Sequence, residues 1–192
     1  MNFKKGLSLI LAAALMSGCS TVSTSSDYVR GTNFSNLKTY DWVSELQPVS
    51  GDIRVDNKLV DSRIRKAVEN TLAAKGFVKS TSGKPDFLVS YHAAIEGKLD
   101  VTTLSTPYQT PSTRDILNGS FNSGVLAYGG SQTFVSQYEE GSVFIDIVDP
   151  KSNSLIWRGT GKATVLEKAT PEKREARINE GVSEILSEFP PT

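Results

Sequence analysis

The residue types that most often carry chemistry are scarce in this chain. Its 192 residues include one cysteine, Cys19, and one histidine, His92. Zinc sites and CxxC motifs need several cysteine or histidine side chains at close spacing, and a disulfide needs two cysteines. The sequence therefore predicts no metal, no cofactor and no disulfide.

His92 is a poor candidate for a catalytic base. It lies in the middle of the stretch DFLVSYHAAIEGKLDV, whose apolar residues alternate as in a β-strand. Many serine hydrolases place their nucleophile in a GxSxG motif, and the sequence has none. A hydrogen-bonded or surface histidine is the simpler interpretation. We predict that the chain is not an enzyme and has no catalytic residue.

Three other motifs have structural explanations. Asp146 alternates with apolar residues, so we expect it to face solvent or to pair with Arg158. Asp149 precedes a proline in a predicted turn, where aspartate is favoured by local hydrogen bonds. The stretch WRGTGKAT resembles a phosphate-binding loop, but Ile156 and Ala163 stand where that loop needs a glycine and a hydroxyl residue.

The position of Cys19 indicates a processing signal. Two lysines precede an apolar run over residues 7–15, and residues 16–18 lead directly to the cysteine. This is the arrangement of a secretory signal peptide, which we assign to residues 1–18. The apolar run is far shorter than the about 20 residues that a transmembrane helix needs.

The stretch LMSGC resembles the lipobox of bacterial lipoproteins, with Met16 where leucine is commoner. The resemblance implies that the Cys19 thiol is acylated, for example with palmitate, and that cleavage makes Cys19 the mature N-terminus and the membrane anchor. By resemblance to lipoprotein sorting in Gram-negative bacteria, Ser20 in place of aspartate favours the outer membrane, with the domain facing the periplasm. The alternative is an ordinary signal peptide followed by an unrelated cysteine.

The charge balance excludes one large class of partners. The chain has 21 basic and 21 acidic residues, and removing residues 1–18 removes Lys4 and Lys5, which leaves a formal net charge of −2. The sequence has no basic cluster of the kind that nucleic-acid-binding proteins use. We therefore expect that the chain binds no nucleic acid, and that charge does not attach it to anionic lipid.

We expect a polar tether followed by one domain. Residues 19–27 are mostly serine and threonine and have almost nothing to bury, so they should form a flexible tether from the lipidated cysteine. Residues 28–192 have the length of a single domain, with a long loop over residues 104–134.

Hydrophobic periodicity predicts the elements of this domain. A strand at NLKTYDWV precedes a helix over DNKLVDSRIRKAVENTLAAKGF, capped by Asp56 and ended by Gly76. DFLVSYHAAIEGKLDV predicts a strand, and GSVFIDIVDPKSNSLIWRGTGKATV predicts a hairpin in which Gly159 and Gly161 suggest a bulge or the close packing of another backbone. A second helix begins after Thr170.

The order of these elements predicts an α+β domain, with a mostly antiparallel sheet of about four strands and two helices packed on one face. Its core should contain residues of both layers: Ile64, Val68, Ile145, Trp157, Val182 and Ile185.

The segment over residues 104–134 is unusually long for a connection in a compact domain. It is rich in serine, threonine and glycine, but it carries four aromatic residues that could anchor a partner: Tyr108, Phe121, Tyr128 and Phe134. We predict that this loop recognises an envelope protein or a cell-wall component. A disordered insertion without a role is the alternative.

Three stretches together resemble a known family. They are NFSNLKTYDW, KPDFLVSYHA and YEEGSVFIDIVDPKSNSLIWRG, and EILSEFPP follows near the C-terminus. They are similar to the bacterial lipoprotein domain of unknown function catalogued as family 4136, over roughly Asp27 to Pro191. The resemblance implies a Gram-negative envelope lipoprotein with an α+β domain, and it implies no catalytic residue. The family often has a loop rich in glycine and aromatic residues before the hairpin, whereas this loop is rich in serine, threonine and glycine.

Three functions are compatible with these features. The first is a non-catalytic binding or structural module of the cell envelope. The second is a small-ligand or lipid carrier with a cavity between the sheet and the helices, and the third is a hydrolase. A large apolar cavity would favour the second function, a flat polar surface with an ordered loop the first, and a cleft that gathers His92 with carboxylates the third.

Overall fold

A computed structural model of the chain describes residues 22–43, 50–81, 83–105, 131–166 and 168–191. These residues form one sheet, two α-helices and a short 3-10 helix at Phe34–Asn36. The strands are β1 (Ser23–Tyr28), β2 (Thr39–Trp42), β3 (Val78–Lys79), β4 (Phe87–Ser105), β5 (Ser131–Asp149) and β6 (Ser154–Thr164). The helices are α1 (Lys58–Ala74) and α2 (Pro171–Ser187). No helix in this described part of the chain is long and apolar enough to cross a membrane.

The sheet has six strands in the order β1-β6-β5-β4-β2-β3. Strands β4, β5, β6 and β1 pair antiparallel, whereas β2 pairs in parallel with both β3 and β4. The α+β class therefore holds, but the prediction of about four mostly antiparallel strands is wrong. The parallel pairs arise because α1 carries the chain from the end of β2 back to the level at which β2 began.

Strand β1 corrects the expectation for the tether. Ser23 to Asp27, which we expected to be flexible, pair with β6 in the register Ser23 to Lys162 through Asp27 to Arg158. Most of their side chains are exposed, so the pairing relies on backbone hydrogen bonds at a sheet edge rather than on side-chain burial. Hydrophobic patterning cannot reveal such a strand.

Helix α1 begins and ends at defined caps. Its N-cap is Asn57, whose side-chain oxygen accepts a hydrogen bond from the Val60 N–H at 3.0 Å. The predicted cap, Asp56, instead accepts backbone hydrogen bonds from the loop before the helix. As predicted, Gly76 ends the helix. Its φ is 89°, a conformation that glycine adopts at little cost.

Both helices cover the same face of the sheet. The Tyr91 hydroxyl of β4 donates to Asp61 of α1, and Gly159 of β6 contacts Ile185 of α2. Tyr91 and Gly159 both lie opposite Ile145, one on each side of β5, so they share one sheet face. All six predicted core residues are buried between this face and the helices.

The two glycines of β6 make room for α2. A Cβ atom at Gly159 would lie 2.5 Å from Ile185 Cγ2, and one at Gly161 would lie 2.7 Å from Ile185 Cδ1. The bulge lies elsewhere, where the β5–β6 register shifts between Ile147 and Val148 and leaves Ile156 as the extra residue. The two glycines therefore reflect close packing of the Ile185 side chain, and not a bulge or the approach of another backbone.

Candidate functional site

A cleft of about 600 Å³ lies between the sheet, the first turns of α1 and the side of α2 that runs from Arg174 to Ile185. It is lined by strands β4, β5 and β6 on one side and by α1 and α2 on the other. Most of its wall is aliphatic, from residues that include Val60, Ile64, Val143, Val165, Ile178 and Val182. Its volume lies within the range of about 300–1,000 Å³ that is usual for small-molecule sites.

The cleft exists because small residues meet where large ones would fill the space. On the sheet side the small inward residues are Ala93, Gly141 and Ala163, which lie around Val143, and Gly181 lines the cleft from α2. A Cβ atom at Gly181 would meet nothing within 4 Å. A glycine inside a helix costs roughly 1 kcal/mol relative to alanine. At this position, therefore, the packing does not require glycine.

Arginine side chains line the helix side of the cleft. They are Arg54, Arg63, Arg174 and Arg177, and among the described lining residues Glu139 is the single carboxylate. Lys162 also borders the cleft, but it alternates with Gly161 and Ala163, so its side chain belongs to the opposite sheet face. The wall is thus apolar with a cationic border.

Arg54 ties the loop before α1 to the sheet. Its guanidinium lies 2.6 Å from Asp52 Oδ2 and 2.6 Å from Glu139 Oε2. The hydrogen bond from Arg54 holds the pKa of Asp52 below its usual value. Arg54 therefore serves as a structural bridge at the edge of the cleft, which leaves Arg63, Arg174 and Arg177 as the cations outside this bridge.

The other face of the sheet carries the predicted Asp146–Arg158 pair. Arg158 donates two hydrogen bonds, from Nε to Asp146 Oδ1 at 2.6 Å and from Nη2 to Oδ2 at 2.7 Å. This hydrogen bonding raises the pKa of Arg158. His92 is exposed on this face, opposite Phe144, and it does not line the cleft. Within the described residues, no group of three or more histidine, cysteine or acidic side chains is placed to hold a metal ion.

Asp149 also has the predicted local role. Its Oδ1 accepts a hydrogen bond from the Lys151 N–H at 2.7 Å, inside the turn between β5 and β6. This backbone hydrogen bond holds the pKa of Asp149 below its usual value. The carboxylate therefore stabilises the turn.

Of the four predicted partner-binding residues, one lies within the described part of the chain. Phe134 lies in β5 opposite Thr102, with 53% of its surface exposed. Tyr108, Phe121 and Tyr128 lie outside the described residues, as does Cys19. The long connection is shorter than predicted, because β4 extends to Ser105 and β5 begins at Ser131.

The ends of β4 and β5 form a two-stranded ribbon beyond the rest of the sheet. Pairing of β5 with β6 stops at Glu140, whereas β4 and β5 remain paired to Ser105 and Ser131. One face of this ribbon exposes three aliphatic side chains: Leu99, Val101 and Val135. The ribbon is a second surface at which another molecule could bind.

Sequence reasoning missed the residues that make the cleft. Gly181 interrupts the apolar stripe of a predicted helix, and GTGKA places small residues at alternate positions of a predicted strand. Each signal was visible, but their juxtaposition depends on how α2 lies on β6. The cleft is therefore a property of the tertiary structure.

A solved structure shows that this fold occurs in another protein. A PDZ domain protein from Parabacteroides distasonis matches with 16% identity and a TM-score of 0.50, over 89% of this chain and 36% of that chain. This chain thus spans about a third of that protein's length. The PelC dodecamer from Paraburkholderia phytofirmans matches in two crystal forms, with 11% identity, TM-scores of 0.44 and 0.43, and coverage of 86% of this chain and 95% of that chain.

The sequence comparisons give the family. A search of curated proteins finds no significant match. Residues 24–191, nearly all of the predicted domain, match the family described as "Domain of unknown function (DUF4136)". The resemblance found in the sequence is thereby confirmed, and the chain belongs to this DUF4136 family.

Proposed function

We propose that the chain is a lipid-anchored protein of the bacterial outer membrane whose periplasmic domain is a non-catalytic binding module. Its ligand is a small apolar or amphiphilic molecule that occupies the cleft between the sheet and the helices. The observation that carries this proposal is the apolar cleft of about 600 Å³, which favours the second of the three functions. A domain with such a cleft suits a carrier or a sensor of lipid-like molecules.

The anchor and the cleft lie close together along the chain. Val22 lines the cleft and lies three positions after Cys19 in the chain. A fully extended chain of three residues spans at most about 11 Å. An acylated Cys19 would therefore hold the cleft near the membrane surface, where amphiphiles are most concentrated.

A protein partner is the second candidate function. The exposed aliphatic face of the ribbon, with Leu99, Val101 and Val135, is the observation in its favour. Ligand binding at the cleft and partner binding at the ribbon involve different residues. Substitutions at the two surfaces can therefore separate them.

Binding of an uncharged fluorescent probe tests the cleft. N-phenyl-1-naphthylamine, titrated into the full chain carrying Cys19→Ala, should bind saturably with enhanced fluorescence. Gly181→Phe should weaken this binding at least about tenfold, because its ring would fill the space in front of Gly181. Ser183→Phe is the matched control, since Ser183 is an exposed residue of the same helix outside the cleft. Equal binding by the two phenylalanine variants, or no saturable binding, would exclude the cleft as the site.

A further inference from the structure

The face of α2 that borders the cleft changes in character along its length. Arg174 and Arg177 lie in its first half, and Ile178, Gly181 and Ile185 follow at helical spacing on the same side. Arg174 and Gly181 are seven residues apart, or about 10 Å along the helix axis. Along α2, therefore, the cationic lining residues lie toward the N-terminal end and the apolar ones toward the C-terminal end.

Helix α1 adds a third cation to the charged end. Arg63 lines the cleft one residue before the buried Ile64. Two carboxylates outside the lining moderate this charge: Glu180 Oε2 lies 4.0 Å from Arg177 Nη1, and Glu172 is close enough to interact with Arg63. Within the described lining, the remaining carboxylate is Glu139, which is already bonded to Arg54. Among the described residues, the lining thus presents three further arginines from two helices, and its one carboxylate belongs to the Arg54 bridge.

We infer that the ligand is a single-chain amphiphile with an anionic headgroup. This inference rests on the proposed function and names its ligand class. The acyl chain would lie against Gly161, Gly181 and Val143, and the carboxylate or phosphate of the headgroup would lie at Arg63, Arg174 and Arg177. Arginine suits this role because its planar guanidinium donates paired hydrogen bonds to carboxylate and phosphate oxygens.

Displacement of the uncharged probe measures the preference for charge. The competitors have the same twelve-carbon chain and differ in the headgroup: dodecanoate, dodecyl maltoside and dodecyltrimethylammonium, each below its critical micelle concentration. On the full chain carrying Cys19→Ala, dodecanoate should displace N-phenyl-1-naphthylamine at a concentration at least about tenfold lower than either of the others. Equal displacement by all three would overturn the anionic headgroup and leave the cleft as a binding site. Absence of probe binding would instead overturn the proposed function itself.

Removing the arginines should remove the preference for an anionic headgroup. The double variant Arg63→Gln/Arg177→Gln should lose most of the advantage of dodecanoate over dodecyl maltoside, measured as the ratio of their displacement concentrations on the same variant. Lys66→Gln/Lys173→Gln is the matched control, because it removes the same charge from exposed positions of the same two helices outside the cleft. If the control variant loses as much of the preference, the effect is one of net charge and the headgroup site is wrong.

Discussion

The guanidinium of Arg65 in α1 lies over the ring of Trp42 in β2, with Cζ 4.4 Å from the ring centroid. The Arg65 Nε also donates to Asp61 Oδ1 at 2.9 Å, and the Tyr91 hydroxyl donates to the same oxygen at 2.7 Å. Glu69, one helical turn beyond Arg65, accepts a hydrogen bond from Trp42 Nε1. These contacts join α1 to β2 and β4, so they fix the helix that forms one wall of the cleft.

Loss of the Arg65 side chain should loosen this junction. Arg65→Ala should lower the free energy of unfolding by about 1–2 kcal/mol, because it removes a cation–π contact and a half-buried ion pair. Urea denaturation followed by tryptophan fluorescence measures the change. Lys66→Ala, an exposed neighbour on α1, should change stability by less than about 0.5 kcal/mol. Equal effects of the two substitutions would show that the stacked pair contributes nothing.

Acid should weaken the junction between β2 and β4. The Asp86 carboxylate accepts hydrogen bonds from the Thr39 N–H at 2.8 Å, the Thr39 hydroxyl at 2.8 Å and the Lys38 N–H at 3.0 Å. These bonds, led by the one from the Thr39 backbone, hold the pKa of Asp86 below its usual value. A lowered pKa gives a stabilisation that is fully present above the unfolded-state pKa, about 3.9, and is lost as the pH falls through the folded-state pKa.

Asp86→Asn should therefore destabilise the protein at pH 7 by about 1 kcal/mol and have a smaller effect below about pH 4. Denaturant melts of both proteins between pH 7 and pH 3 test this. Asp100→Asn, at an exposed carboxylate of the ribbon, is the control and should leave stability nearly unchanged. A destabilisation by Asp86→Asn that is the same at every pH would contradict the assignment.

Substitutions at Gly161 and Ile185 should have coupled effects on the free energy of unfolding. Gly161→Ala should cost about 1–3 kcal/mol, since its methyl group would lie 2.7 Å from Ile185 Cδ1. Ile185→Ala removes both Cδ1 and Cγ1, the two atoms that would lie within 3 Å of that methyl group, and alone should cost about 2–5 kcal/mol. The double variant should be more stable than the sum of the two effects predicts, because the clash is gone. Additive effects in a double-mutant cycle would show that the two residues do not meet.

The lipid anchor has a direct chemical test. Cys19→Ala should leave the precursor without acyl chains and block lipoprotein-type cleavage. Metabolic labelling with an alkyne fatty acid, followed by gel fluorescence, should give a labelled band for the wild type and none for the variant. Ser20→Ala retains the cysteine and should still be labelled. Equal labelling of the wild type and Cys19→Ala would show that Cys19 is not the site of lipid attachment.

Much of the core could be predicted because its residues recur at helical or strand spacing. Ile64 and Val68 in α1, and Ile145 in β5, are buried as their periodicity indicates. The edge strands could not be predicted from such patterns. Strand β1 is a run of serine and threonine that is held through its backbone, and β3 has two residues, too few for any periodicity.

The cleft could not be predicted because it consists of absent side chains on distant elements. Gly161 and Gly181 lie on β6 and α2, and neither residue alone distinguishes a cavity from a tight contact. Gly161 contacts Ile185, whereas the space in front of Gly181 is empty. That difference depends on the placement of α2 on the sheet, which no local sequence pattern predicts.

The central claim is that an amphiphile occupies the cleft, and photo-crosslinking in membranes tests it most directly. Cells that express the wild-type chain would be labelled with a diazirine-bearing hexadecanoic acid and irradiated. The crosslinked peptides would then be mapped by mass spectrometry. The account predicts crosslinks to cleft-lining residues within 141–143 and 177–185. Gly181→Phe should lose most of these crosslinks, and Ser183→Phe should retain them. Crosslinks confined to the ribbon at residues 98–105 and 131–138, or equal in both variants, would contradict it.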